Sequence, residues 1–146
     1  MNGSMCKKFK CFIFSDDVEQ SQYFLSNTNM KFFCKEISIS IEPYNLRNEL
    51  KENYNVHFTR MEFLDKNKVL IMADNFREIT LPDTEVHDKE VSAVFKNQLL
   101  VLATSKVFSL NHEIGKASKL TSKVREKMRV RDRLQLIIEE NLFNLK

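Results

Sequence analysis

Lys68 to Ala73 reads KVLIMA, and a strand of that composition has no face to give to water. Such a run belongs in the interior of a sheet, with a neighbour on each side and cover above and below. The rest of the chain must then supply those neighbours. Ile37, Ile39 and Ile41 alternate with Glu36, Ser38, Ser40 and Glu42, which describes a half-buried strand with one wet face. Pro43 ends it, and Tyr44 to Asn53 forms a polar connection with room for one helical turn. Val56 to Phe63 is a second β-rich run, closed by the turn residues Asp65-Lys66-Asn67. Asp74-Asn75 makes the next turn, and the strand from Arg77 to Leu81 points Ile79 and Leu81 inward. Val91-Ala93-Phe95 and Leu99-Val101-Ala103 complete a hairpin around Lys96 to Gln98. Six or so short strands separated by turns predict a mainly β fold, an antiparallel immunoglobulin-like β-sandwich over residues 31–109.

The flanking segments differ from this centre. Residues 1–30 hold Phe9, Phe12, Phe14, Tyr23 and Phe24 without a sustained period, and half of the twelve phenylalanines precede residue 34. They form either an edge strand, KKFKCFIFS, followed by a loop, or an aromatic arm that binds apolar surface. Residues 110–146 are a basic tail. From residue 112 onward nine Lys/Arg face five Asp/Glu, a charge of +4, whereas the first 111 residues sum to −1. Any electrostatic partner is therefore to be sought at the tail. Thr121-Ser122 can cap a helix there, whose apolar positions Leu120, Val124, Met128, Leu134, Ile138, Leu142 and Leu145 fall mainly three or four apart.

Several functional classes fit poorly. Gly3 and Gly115 are the only glycines, so no glycine-rich loop can cradle a nucleotide phosphate. Cys6, Cys11 and Cys34 have no C-x-x-C spacing and are expected as reduced thiols. His57, His87 and His112 are scattered, and no metal site is expected. No paired carboxylates or nucleophile with a neighbouring base suggest catalysis. We therefore expect a non-enzyme without a cofactor. The longest apolar runs fall well short of the roughly 18 residues that a membrane span needs, and the short Cys11–Phe14 run is followed at once by Asp16-Asp17. The expected compartment is cytoplasmic or nuclear.

The stretch from Asp74 to Lys106 resembles the C-terminal half of the α-crystallin domain of small heat-shock proteins. The matching residues are Phe76, Arg77, Leu81-Pro82, Val86, Val91-Ser92-Ala93, Asn97, Leu99-Leu100-Val101 and Lys106. The likeness extends over about residues 32–107, with Ile39-Ser40-Ile41-Glu42-Pro43-Tyr44, Leu50 and Lys68 to Met72 in matching places. It implies an ATP-independent chaperone that holds unfolding client proteins on apolar surface and assembles as a homo-oligomer. It further implies a peptide groove of the edge-addition kind, lined by Val69, Ile71, Val91 and Ala93, with Arg77 at a subunit contact. Two departures are plain. Gln98 stands where the family has glycine, and only Ala73, Asp74 and Asn75 occupy the place of its long dimerisation loop. Related co-chaperone domains share that shortening.

The tail departs furthest from the family. Lys116, Lys119, Lys123, Arg125, Lys127, Arg129, Arg131 and Arg133 face only Glu126 and Asp132 in that interval. The alternative expectation is thus an interaction module, whose basic helix docks to a protein partner, a ribosome or another RNA assembly. No aromatic interleaves these cations, so contact to RNA would be to phosphates and not to stacked bases. Leu136-Ile137-Ile138 is the nearest counterpart of the family's Ile-x-Ile groove ligand.

Overall fold

A computed structural model describes residues 5–20 and 31–144 of the chain. It divides into two compact units, Met1–Asp16 with Lys31–Phe95, and Asp17–Met30 with Lys96–Lys146. Tyr23, Phe24 and Leu145 lie outside the described residues.

The first unit is built on one mixed sheet and not on a sandwich. Its strands are β1 (Lys7–Ser15), β2 (Phe33–Ile41), β3 (Phe58–Phe63), β4 (Lys68–Ala73) and β5 (Thr84–Glu85), in the spatial order β3-β4-β1-β2-β5. β4 is an interior strand, as its composition requires: every residue from Val69 to Ala73 is fully buried. Its partners are β3, antiparallel, and β1, parallel. The parallel pair is what overturns the expected all-antiparallel sandwich. Residues 7–15, expected as an edge strand or an arm, hold the middle of the sheet. Cys11-Phe12-Ile13-Phe14 is buried throughout, the same two-faced burial that marks KVLIMA, and the mark of a strand covered by other elements on both sides.

The two faces are covered differently. Phe9, Cys11, Ile13, Ile39, Val69 and Ile71 form one core with Leu46 and Leu50, which project from α1 (Leu46–Tyr54). The connection between β2 and β3 is therefore a full helix, longer than the single turn expected. Its apolar residues sit four apart, and Asn55 ends it in the left-handed conformation at φ 53°. On the other face Phe14 stacks on Phe95, with ring centroids 3.9 Å apart and planes at 14°, and Phe32 meets Phe95 edge-on. Buried Asn75 joins α1 to the end of β4: its Nδ2 donates to Asn55 O at 2.6 Å and its Oδ1 accepts from His57 N at 2.9 Å.

The expected hairpin at residues 91–103 is absent. α2 runs without a break from Lys89 to Lys116, and α3 from Ser122 to Asn144. Val91, Phe95, Leu99 and Ala103 are all buried and all four apart, which places them on one helical face. Asp88 starts the helix, its Oδ1 accepting from Glu90 N at 3.0 Å and Val91 N at 3.2 Å. The expected strand from Arg77 to Leu81 is also absent. Phe76–Glu78 is a 3-10 turn, because Lys35 Nζ draws the carbonyls of Phe76 (2.6 Å) and Ile79 (2.8 Å) toward itself.

Asp88 carries a pH dependence. The Lys68 ammonium, 2.8 Å from its Oδ2, and the capped Val91 N–H hold its carboxyl below the ordinary carboxylate range. A depressed folded value means that the stabilisation is complete at neutral pH and is lost as pH falls through that value. Asp88→Ala is expected to cost about 1 kcal/mol at neutral pH, typical of a lost N-cap. The cost shrinks toward zero in acid, and urea unfolding at the two pH values measures the difference.

Candidate nucleic-acid interface

In the second unit the basic residues lie on a helical hairpin. α2 and α3 are joined by residues 117–121, and their side chains register antiparallel. Lys127 Nζ lies 3.6 Å from Glu113, and Arg131 Nη1 donates to Asn111 Oδ1 at 3.1 Å. Leu110, Leu134 and Ile137 are buried. Val124, Met128 and Ile138, from the expected apolar series, are half-buried, while Leu120 is 59% exposed.

The eight expected cations separate into two sets. Lys127 and Arg131 serve the hairpin register just described. Arg131 also bonds its neighbour Asp132 at 3.0 Å, and Arg129 meets Glu126 at 3.1 Å, one turn back. Arg133 borders a depression of about 190 Å³ with Glu19, Glu126, Val130 and Leu134. These four lie among counter-charges. The other four, Lys116, Lys119, Lys123 and Arg125, are exposed and engage no side chain or ion pair among the described residues. They fall within ten residues at the corner of the hairpin, a stretch without one carboxylate.

Backbone geometry concentrates their effect. α2 ends as Ala117 N donates to Ile114 O at 3.2 Å, and Thr121 N closes a tight turn on Lys119 O at 3.1 Å. Thr121 then caps α3, its Oγ1 accepting from Val124 N at 3.2 Å and its carbonyl from Arg125 N at 3.0 Å. Lys116 sits at a helix C-terminus, where the macrodipole favours a cation. Lys123 and Arg125 sit in the first turn of α3, which holds no acidic residue. There the macrodipole disfavours them, each by about 0.3–1 kcal/mol. The corner therefore joins a helix N-terminus, itself suited to anions, to cations that weaken the helix bearing them.

The expected groove residues are not brought together in that way. Val69 and Ile71 point into the core from β4, whose two edges are both paired, so no strand can be added there. Val91 is buried and Ala93 exposed, on different sides of α2. Arg77 is exposed in the 3-10 turn. Leu136 is exposed and Ile137 buried within α3, a helical and not an extended presentation.

Burial pushes the thiols of Cys11 and Cys34 up to about 12, leaving them protonated and inert at neutral pH. Among the described residues no helix is long and apolar enough to cross a membrane, and no three His, Cys, Asp or Glu side chains cluster as a metal site. Comparison with protein-family models, curated proteins and solved structures finds no match.

Proposed function

We propose that this chain is a non-catalytic interaction module that docks on RNA phosphates through the corner of its helical hairpin. The observation that carries this reading is the set of four cations, Lys116, Lys119, Lys123 and Arg125, held without counter-charge around the N-terminus of α3. Two of them oppose the helix dipole. A fold optimised for its own stability places acids there, so their presence is accounted for by an anion outside the chain. Four cations within ten residues carry their charge to one corner, and each phosphate contact releases condensed counterions. No aromatic lies between Lys116 and Arg133, so binding is to the backbone and indifferent to base identity.

The chaperone expectation depended on strands at residues 91–95 and 99–103, and those residues are helical. The basic corner depends on none of them.

Fluorescence anisotropy with a labelled single-stranded oligouridine tests the reading. Binding is expected at low salt, with log K falling against log salt at a slope of about −3, as four phosphate contacts require on a single strand. An oligoadenosine of equal length is expected to bind equally well. Absence of low-salt binding, or a slope near zero, overturns the proposal.

A further inference from the structure

The corner of the hairpin carries hydroxyls as well as cations. Ser118, Thr121 and Ser122 lie within residues 116–125, and all three are exposed. Thr121 Oγ1 is already engaged, accepting from Val124 N at 3.2 Å as the cap of α3. The hydroxyls of Ser118 and Ser122 make no hydrogen bond among the described residues. Ser118 lies outside both helices, whereas Ser122 is the first residue of α3.

Of these two, only Ser122 has a cation three positions away on each side, Lys119 before it and Arg125 after it, with Lys123 next to it. Arg125 lies one turn along the same side of α3. The bond from Thr121 N to Lys119 O holds Lys119 in the turn that enters the helix. The amides of Ser122 and Lys123 precede the first capped amide, Val124 N, and donate to nothing among the described residues. Open amides, the positive end of the macrodipole and three cations all favour an anion at this point. The first turn of α3 contains no carboxylate to serve as one.

We infer that Ser122 is a phosphoacceptor whose phosphate switches the corner off, turning its cations from RNA onto the chain itself. What is switched rests on the RNA-docking reading. The donor is a nucleoside triphosphate: a bond forms from Ser122 Oγ to the γ-phosphorus as the bond to the leaving nucleoside diphosphate breaks, and the hydroxyl proton passes to a base of the kinase. A kinase that reads a cation three positions before its acceptor finds Lys119 there. Access requires the first turn of α3 to open, and that is the turn which Lys123 and Arg125 weaken. Once in place the phosphate carries about −1.5 to −2 at neutral pH, roughly half of the charge of the four corner cations. It accepts hydrogen bonds from the open amides and the flanking cations, and it provides the anion that the helix terminus lacks. Phosphorylation thus weakens RNA docking and strengthens α3 in one step.

The full chain, native and with phosphoserine installed at position 122, tests the switch at neutral pH. Anisotropy with labelled oligouridine is expected to show low-salt affinity at least about tenfold weaker in the phosphorylated chain, with the salt slope cut from about −3 to about −1.5. The urea midpoint is expected to move the other way, rising by roughly 0.3–1 M. Damage to the fold would lower both, so the opposed signs identify the switch. Ser118→Glu is the control: it weakens RNA binding by charge alone and, close to the C-terminus of α2, does not raise the midpoint. Incubation of the native chain with ATP and a purified Ser/Thr kinase that selects Lys or Arg three positions before its acceptor is expected to place phosphate on Ser122, mapped by mass spectrometry. Unchanged affinity with phosphoserine, a midpoint that does not rise, or no phosphate on Ser122 overturns the inference. A native chain that fails to bind oligouridine overturns the RNA-docking reading instead, and the midpoint and the mapping then decide whether Ser122 is an acceptor.

Discussion

Gln98→Pro is expected to destabilise the protein by at least about 3 kcal/mol, a large fraction of the roughly 5–15 kcal/mol that holds an ordinary domain together. Gln98 lies ten residues inside α2, which spans Lys89–Lys116. Proline there removes the backbone bond to residue 94 and drives its ring into that residue's carbonyl. Gln98→Gly is the informative companion. In the middle of a helix glycine costs about 1 kcal/mol, whereas the second residue of an Asn-Gly hairpin turn would gain from it. Urea unfolding of both variants decides between the two geometries. A stabilising Gln98→Gly would refute the helix outright.

The same residues show why part of this fold could be read in advance and part could not. KVLIMA announces an interior strand, and the isoleucines of β2 announce a half-wet one, because each pattern fits only one environment. Residues 91–103 fit two. Val91, Ala93 and Phe95 alternate, and so do Leu99, Val101 and Ala103, yet Val91, Phe95, Leu99 and Ala103 equally form a single helical face. Local cues favour the helix: Asp88 stands in the N-cap position, and no glycine is present to make the turn at Asn97-Gln98. β1 was obscured by composition. Its Lys7, Lys8 and Lys10 suggest a periphery, while the burial of Cys11 to Phe14 depends on β2, β4 and α2, all remote in sequence. At the hairpin corner the number of cations is legible, but their division is not. The engagement of Lys127 and Arg131 follows from the antiparallel register of Glu113 with Lys127 and Asn111 with Arg131, which no local pattern encodes, whereas the Arg129–Glu126 pair is local to α3.

Lys35→Met is expected to cost about 3 kcal/mol, the second large effect. Lys35 faces the core beside Ile13 and is 5% exposed. Its ammonium donates to two carbonyls and lies 4.5 Å from the centre of the Phe76 ring. Methionine keeps most of the volume and relieves the cost of burying a charge. Against that, the carbonyls of Phe76 and Ile79 lose their donor, at about 1–3 kcal/mol for each that stays buried, and the cation–π contact goes with it. The losses outweigh the gain because backbone carbonyls cannot be replaced by apolar groups. The midpoint of urea unfolding should fall at unchanged slope, and amides of residues 76–81 should exchange faster than in the native chain. A midpoint unchanged within error would show that the loop holds itself without the lysine.

The central place of β1 also bears on synthesis. Lys10 aligns with Lys68 across the parallel pair, so the ribosome adds fifty-eight residues after the first partner before the second exists. At cellular elongation rates this takes roughly 3–12 s. Throughout that interval Phe9, Phe12 and Phe14 have no β4 to lie against, and even after β2 is made the edge of this aromatic strand that β4 will cover stays open. Such a strand invites premature pairing with other chains. The most hazardous moment in the life of this molecule thus comes before its fourth strand is made.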